Sequence, residues 1–260
     1  MNYLYTVNEF RKQGFPVFTM ELCFGNSKPE IADSIVVRGN SYMFHKERLC
    51  RLLERRIPES FTKLAFIDAD ILFDSPDWYR KTSELLETHD VVQPFSKANW
   101  LDLTYRSVFL TMKPAMMSQG VKYDTGFHAG FAWAFRREWY RQVGFYDYAL
   151  IGAGDAISFS CWLKKTLPEF LLKQSLVESY SELNMCPSPR ITYLQDSVIS
   201  HLFHGSIKNR QYENRGSLIS GNDDIRNLIY ENTDGVYEWK NPSVNDKFLT
   251  YFKNRNDDGV

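Results

Sequence analysis

The run Leu64-Ala65-Phe66-Ile67-Asp68-Ala69-Asp70-Ile71-Leu72-Phe73 sets two carboxylates inside apolar sequence, and no other stretch constrains the fold as tightly. Lys63 to Ile67 is too short for a helix and reads as a buried strand. Strands that are apolar throughout are those covered on both faces, as in α/β sheets. Asp68 and Asp70 then stand at the carboxyl end of the strand, where ligands of open α/β sheets bind.

The flanking sequence keeps alternating strand and helix. Tyr3 to Lys12 has helical spacing and stops at Gly14, and the extended apolar run Pro16 to Phe24 reads as a strand. A helix is expected over Ser41 to Arg56, ended by Pro58, and another over Asp77 to Thr88 after Ser75-Pro76. Asp90 to Phe95 and Gly130 to Arg136 read as strands, Arg137 to Val143 and Asp155 to Leu163 as helices, and Asp196 to Phe203 as a late strand. This order predicts an α/β fold, Rossmann-like, with a mostly parallel sheet and helices on both faces. Residues 96–127 are polar and aromatic without clear period and are expected as a functional loop. No repeat or linker divides the chain, so one domain is expected over residues 1–221. Residues 222–260 are expected as an extension packed on it or partly ordered.

With 43% hydrophobic residues in 260, the chain can bury a substantial core. Lysine and arginine number 31 against 32 aspartate and glutamate, so no excess charge points to nucleic acid or an anionic membrane. An anionic ligand must therefore be held locally. Cys23, Cys50, Cys161 and Cys186 contain no CxxC pair, which argues against a zinc ribbon or dithiol centre and for free thiols. No apolar run approaches the roughly 20 residues of a membrane span, and the first residues lack a signal-peptide core. A cytoplasmic protein is expected.

Two aspartates at one strand end repel each other, and a divalent cation with a preference for hard oxygen ligands, magnesium or manganese, relieves that repulsion. Asp68 and Asp70 are thus candidate metal ligands; their alternative role is as turn formers or caps. The second candidate region is His201-Leu202-Phe203-His204-Gly205-Ser206-Ile207-Lys208-Asn209-Arg210. A histidine suits a manganese-like ion, and Lys208 and Arg210 suit a diphosphate. Strand alternation allows His201 and His204 to point apart, so one ligand is expected, His204 by preference. The alternative is a surface histidine beside a solvated basic turn. A third region pairs Gly126 to Trp133 with Gly152-Ala153-Gly154-Asp155. Its small residues, Gly130 among them, allow close approach to a ligand, and Asp155 is either a general base or a plain helix N-cap.

In their order these parts resemble glycosyltransferases of the GT-A fold, in particular inverting family-2 and galactosyltransferase-like enzymes. The similarity runs from about Val17 to Arg215 through Lys46-Glu47-Arg48, Asp68-Ala69-Asp70, Val91 to Phe95, Gly126 to Trp133, Gly154-Asp155 and His204-Gly205. It implies that Asp70 holds the metal directly and that Asp68 contacts the donor ribose or the metal through water. It further implies His204 as a third metal contact and Asp155 as the base for the acceptor hydroxyl. Lys46 and Arg48 become candidates for donor contacts, with exposed helix charges as the alternative. The implied partners are a nucleotide-sugar donor and a glycan or other hydroxyl acceptor. Domains of that kind open on a strand, whereas this chain opens in a helix. Two other readings remain: a haloacid-dehalogenase-like phosphatase, which lacks its expected glycine and threonine here, and a non-catalytic nucleotide- or carbohydrate-binding relic of a transferase.

Overall fold

The structure, a computed structural model, describes residues 2–122, 124–167, 177–206, 218–219 and 224–255. In chain order its elements begin α1 (Asn2–Lys12), β1 (Met20–Phe24), β2 (Ile35–Gly39), α2 (Lys46–Glu54), β3 (Lys63–Ile67), β4 (Ile71–Phe73), α3 (Asp77–Leu85), β5 (Val91–Gln93), β6 (Lys97–Leu101) and β7 (Val108–Pro114). They continue with β8 (Phe127–His128), β9 (Ala132–Arg136), α4 (Arg137–Gln142), α5 (Gly154–Trp162), α6 (Val177–Met185), β10 (Ile191–Tyr193), β11 (Val198–His201), β12 (Ile229–Glu231), β13 (Tyr237–Trp239) and α7 (Pro242–Asn254).

The class is α/β, but the sheets are mixed, which corrects the mostly parallel arrangement expected. β1 pairs with β2, and a second sheet runs β10-β5-β9-β3. A third runs β4-β11-β6-β7-β8, and β12 pairs with β13. β9 runs antiparallel to both β3 and β5, β4 antiparallel to β11, and β6 antiparallel to β7. The stretch 96–127, expected as a loop, supplies β6, β7 and the first residue of β8. Antiparallel neighbours need only a short turn, so no helical period separates β6 from β7 and the alternation signal is absent there. The turn itself is built on Asp102, whose Oδ1 accepts the backbone N–H of Thr104 at 3.1 Å and the Thr104 hydroxyl at 2.7 Å.

The main core packs α4 and α5 on β9 through Phe135, Tyr140, Phe159 and Trp162, all buried. α5 is apolar on nearly every face because it lies in this core, with eight of its nine residues buried. A second apolar cluster joins Met43, Leu150 and Ile151 to Ile225, Trp239 and Phe248. The described part of the C-terminal stretch, expected as a weakly patterned extension, is thereby packed on the domain. Its helix α7 starts with Asn241 accepting the Ser243 N–H and Pro242 in the first turn. The Trp239 backbone N–H donates to Ser41 Oγ at 2.9 Å, and its ring N–H donates to Tyr42 O at 3.0 Å. Among the described residues no helix is long and apolar enough to cross a membrane. Cys23, Cys50, Cys161 and Cys186 are free thiols.

Candidate metal centre and acidic cluster

After Ile67 the chain turns through Asp68-Ala69-Asp70, with the Ile71 N–H donating to Asp68 O at 3.2 Å. It then enters β4 opposite β11, in a register that faces Ile71 with His201. The Leu202 N–H donates to Asp70 O at 2.8 Å, so the carboxylate of Asp70 sits beside the end of β11. His204 Nε2 lies 3.0 Å and His201 Nε2 3.4 Å from Asp70 Oδ2, and the two Nε2 atoms are 3.2 Å apart. Both imidazoles therefore reach the aspartate, where strand alternation led to the expectation of one. β11 ends at His201, and the chain reverses through Gly205 at φ 96°, so the period of two no longer applies at His204.

The three donor atoms fit a cation. Cis ligands about 2.1 Å from an octahedral ion stand about 3.0 Å apart, close to the spacings seen. The other carboxylate oxygen, Asp70 Oδ1, is buried with no hydrogen-bond partner among the described residues. Burial acts to raise the Asp70 pKa, but hydrogen bonds from His201 and His204 outweigh it and hold the carboxyl below its ordinary range. One carboxylate with two imidazoles suits manganese better than magnesium, because nitrogen ligands favour the softer ion. His201 is packed against Trp100 and Phe131, with ring centroids 4.4 and 5.1 Å away. His204 is the more exposed of the pair.

Asp68 belongs to a second cluster. Its Oδ2 accepts the Phe131 N–H at 3.2 Å, and its Oδ1 is 3.3 Å from Lys46 Nζ at the start of α2. The same ammonium is 3.5 Å from Asp155 Oδ2 and 3.9 Å from Glu47 Oε1. Burial opposes the charge on Lys46, but Asp68, Asp155 and Glu47 outweigh it and hold the ammonium above the ordinary lysine range. Burial pulls Asp68 upward against Lys46. It also pushes Glu47 up to about 7. For Asp155 burial is the larger single influence upward, yet Lys46, His128 and the Ala156 N–H together bring it below its ordinary value. Asp155 is thus an ionised carboxylate in the first turn of α5.

Gly130 is required here by space. A Cβ on it would lie 2.5 Å from Asp155 Oδ2 and 2.9 Å from His128 Cε1. His128, within a segment chosen from sequence for its small residues, was given no role there. Its ring stacks on Phe131 with centroids 3.6 Å apart, and its Nδ1 accepts the Gly130 N–H at 3.0 Å. Burial pushes its pKa down to about 4, so it stands neutral beside Asp155. Glu47 also went unassigned; a Cβ on Gly154 would collide with its carboxyl group. Its cue was its place between Lys46 and Arg48.

Arg48, expected as a donor contact, faces elsewhere. Its Nε donates to Gly235 O at 2.7 Å, its Nη1 to Asp147 Oδ2 at 3.2 Å, and its Nη2 pairs with Glu231 at 2.6 Å. Each residue of a helix turns about 100° from the last, so Lys46 and Arg48, two positions apart, point to nearly opposite faces. Lys208 and Arg210 lie outside the described residues. No protein-family model matches this chain, and no curated protein is significantly similar to it.

Proposed function

We propose that the chain is a metal-dependent glycosyltransferase with a GT-A-like fold, moving a sugar from a nucleotide-diphosphate sugar to an acceptor hydroxyl with inversion. The observation that carries this reading is the convergence of Asp70, His201 and His204 beside a strand-end acidic cluster that holds a lysine. Asp70, His201 and His204 hold the cation, manganese by preference over magnesium. Bound there, the cation supplies Lewis-acid stabilisation of the negative charge on a departing diphosphate.

The chain's own groups then divide the work. Lys46 offers an ammonium to a phosphate oxygen, and Lys208 and Arg210 remain candidates for the same anion. Asp68 serves the donor ribose. Asp155 accepts the proton of the acceptor hydroxyl. While Lys46 sits 3.5 Å away, Asp155 is a weak base. Once the ammonium turns to the diphosphate, the carboxylate loses its cation and gains proton affinity, which matches basicity to donor binding. Gly130 keeps the space in front of Asp155 open.

The test is release of nucleoside diphosphate from a panel of nucleotide-sugars with and without manganese, with the anomer of the product read by NMR. Manganese-dependent release from one donor, absent in Asp70→Ala, is the expected result. Nucleotide binding without turnover in any donor and acceptor combination favours the non-catalytic relic, and a trapped aspartyl-phosphate on Asp68 favours the phosphatase.

A further inference from the structure

The hairpin of β6 and β7 carries a graded surface. On the face turned away from His201, Asn99 and Thr111 lie side by side, and the Thr111 hydroxyl donates to Asn99 Oδ1 at 3.0 Å. Two positions back toward the base, Lys97 and Lys113 share that face, both exposed and one residue beyond the pairing of Ala98 with Met112. Two positions toward the tip, Leu101 pairs with Val108. The register shifts between Trp100 and Leu101, which makes Phe109 an extra residue on β7 and turns it to Trp100, with ring centroids 6.2 Å apart. The hairpin is thus basic at its base, polar in its middle and apolar on both faces near its tip.

Of the thirteen large hydrophobic side chains exposed among the described residues, five are Leu103, Tyr105, Val108, Phe109 and Leu110 of this hairpin. Exposed apolar residues scattered singly need no explanation, whereas a gathered set marks an interaction site. The tip that presents them is pinned. Asp102 Oδ1 takes the backbone N–H groups of Thr104, Arg106 and Ser107, and Tyr105, at φ 57°, donates its hydroxyl to Asn2 Oδ1 of α1 at 2.8 Å. Tyr5, one turn from Asn2 on the same helix face and also exposed, extends the apolar patch. At the base, no ion pair joins Lys97 or Lys113 to a carboxylate among the described residues. Like charges facing each other across two strands repel, and the chain, with 31 basic and 32 acidic residues, offers no general surplus of either sign. What this lysine pair lacks is an anion from outside.

We propose that this hairpin docks on an anionic bilayer surface, its apolar tip entering the interface and its lysine pair meeting the lipid phosphates. The dimensions agree. Lys97 and Lys113 stand about 14 Å back from Leu101 and Val108, at ~3.4 Å per residue. Apolar residues buried roughly 5–10 Å at the boundary of headgroups and acyl chains therefore leave the lysines beside the headgroup layer, within the Debye length of about 8 Å over which an anionic surface attracts them. At that depth water and headgroups still reach the open edge of β7, which β8 covers only at Lys113 and Pro114. Arg106, exposed in the turn, extends its long side chain back to the phosphates. A second copy of the chain would cover the tip, but it brings the same two ammonium groups and neutralises neither. On the opposite face Trp100 packs on His201, with centroids 4.4 Å apart, and the Tyr105 hydroxyl lies 3.4 Å from Phe203 O, next to His204. Docking thus brings the candidate metal centre to the membrane surface. The inference stands on the hairpin and is independent of the transferase reading.

Flotation of the 260-residue chain with vesicles of phosphatidylcholine, alone or mixed with phosphatidylglycerol, tests it. The chain should bind the mixed vesicles, leave them as salt is raised, and bind the neutral ones weakly. Lys97→Gln with Lys113→Gln should weaken binding about 30-fold, a factor of about five for each lysine near an anionic surface. Lys28→Gln with Lys247→Gln removes two lysines exposed elsewhere and should leave binding unchanged. Val108→Asp should abolish binding with Tm nearly unchanged, since that side chain is already 49% exposed. Leu103→Trp should add emission that lipids brominated on their acyl chains quench. Three results overturn the inference: no binding to either vesicle, binding that the hairpin variants leave intact or that leaves the Leu103→Trp emission unquenched, or a parent dimer that Val108→Asp turns into a monomer, which assigns the patch to a second copy.

Discussion

Asp70 Oδ2 stands 3.0 Å from His204 Nε2 while the Oδ1 of the same carboxylate is buried with no hydrogen-bond partner among the described residues. An orphaned carboxylate oxygen beside two imidazoles is expensive without a cation and favourable with one. Asp70→Asn keeps the volume and removes the charge. It should weaken manganese binding by more than about 100-fold, beyond what loss of an outer-shell partner costs, as read by titration calorimetry or by the loss of the free-ion electron paramagnetic resonance signal in the parent protein alone.

The two histidines should separate by their surroundings. His204→Ala should lose manganese affinity with little change in Tm, since its side chain is 26% exposed. His201→Ala should lose affinity and also destabilise the fold by roughly 1–3 kcal/mol, because it empties a site packed by Trp100 and Phe131. Manganese titrations and urea unfolding on both variants check the difference.

Lys46 and Arg48, two residues apart on α2, should differ in nucleotide binding. Lys46→Met should weaken nucleotide binding and also lower stability at neutral pH, because Asp68, Asp155 and Glu47 lose their shared cation. Arg48→Ala leaves Asp147 buried without one of its cations and should cost about 3–5 kcal/mol in urea unfolding, with nucleotide affinity retained in the folded fraction.

Glu47 makes stability fall with pH over a defined window. Its folded pKa of about 7 lies above the ordinary 4.5, so the folded protein holds the proton more tightly than the unfolded chain. Its stabilising contribution is complete below pH 4.5 and is lost as pH rises to about 7. Asp70 and Asp155, held below their ordinary values, act in the opposite sense, at pH values near and below 3.8. Glu47→Gln should flatten the decline, about 3 kcal/mol between the two limits, as measured by urea midpoints from pH 4 to 8.

Gly130→Ala should abolish turnover while the protein stays folded. The added Cβ would press on Asp155 Oδ2 and the His128 ring, at about 1–3 kcal/mol of overpacking. Steady-state assays together with thermal melts check that activity falls while the protein remains folded.

Strand β3 was legible in the sequence to the residue, because five residues bounded by Thr62 and the acids allow no other element. Helices α1, α4 and α5 were legible to within a residue at each end, whereas α2 was expected five residues too early and two too late and α3 three too late, and α6 and α7, in stretches without a clear apolar period, were not expected at all. Strand β2 and the β6–β7 hairpin were not. Ile35 to Gly39 is partly polar, and β7 is exposed along most of its length, so neither carries the apolar period that marks a buried strand. At the site, Asp68, Asp70, Asp155 and the histidines were legible as residue types. Which of them meet was not, because His201 reaches Asp70 through an antiparallel register, and Asp68 through Lys46 to Asp155 through the packing of α2. Arg48 was expected as a donor contact or an exposed helix charge, and its burial against Asp147, Glu231 and Gly235 was not legible because those partners lie 99 to 187 residues downstream.

The anchoring of α2 also ties the early part of the chain to the late part. Arg48 is tied to Gly235 across 187 residues of chain and to Glu231 beside it. Lys46 belongs to the same helix and stands among Asp68 and Asp155. While the ribosome is still making residues 231–237, α2 lacks its far anchor and Arg48 leaves buried Asp147 without its full set of partners. The helix that carries Lys46 into the acidic cluster is thus held partly by residues far downstream, so a chain that stops before Glu231 lacks one of the constraints on the arrangement of Lys46, Asp68 and Asp155.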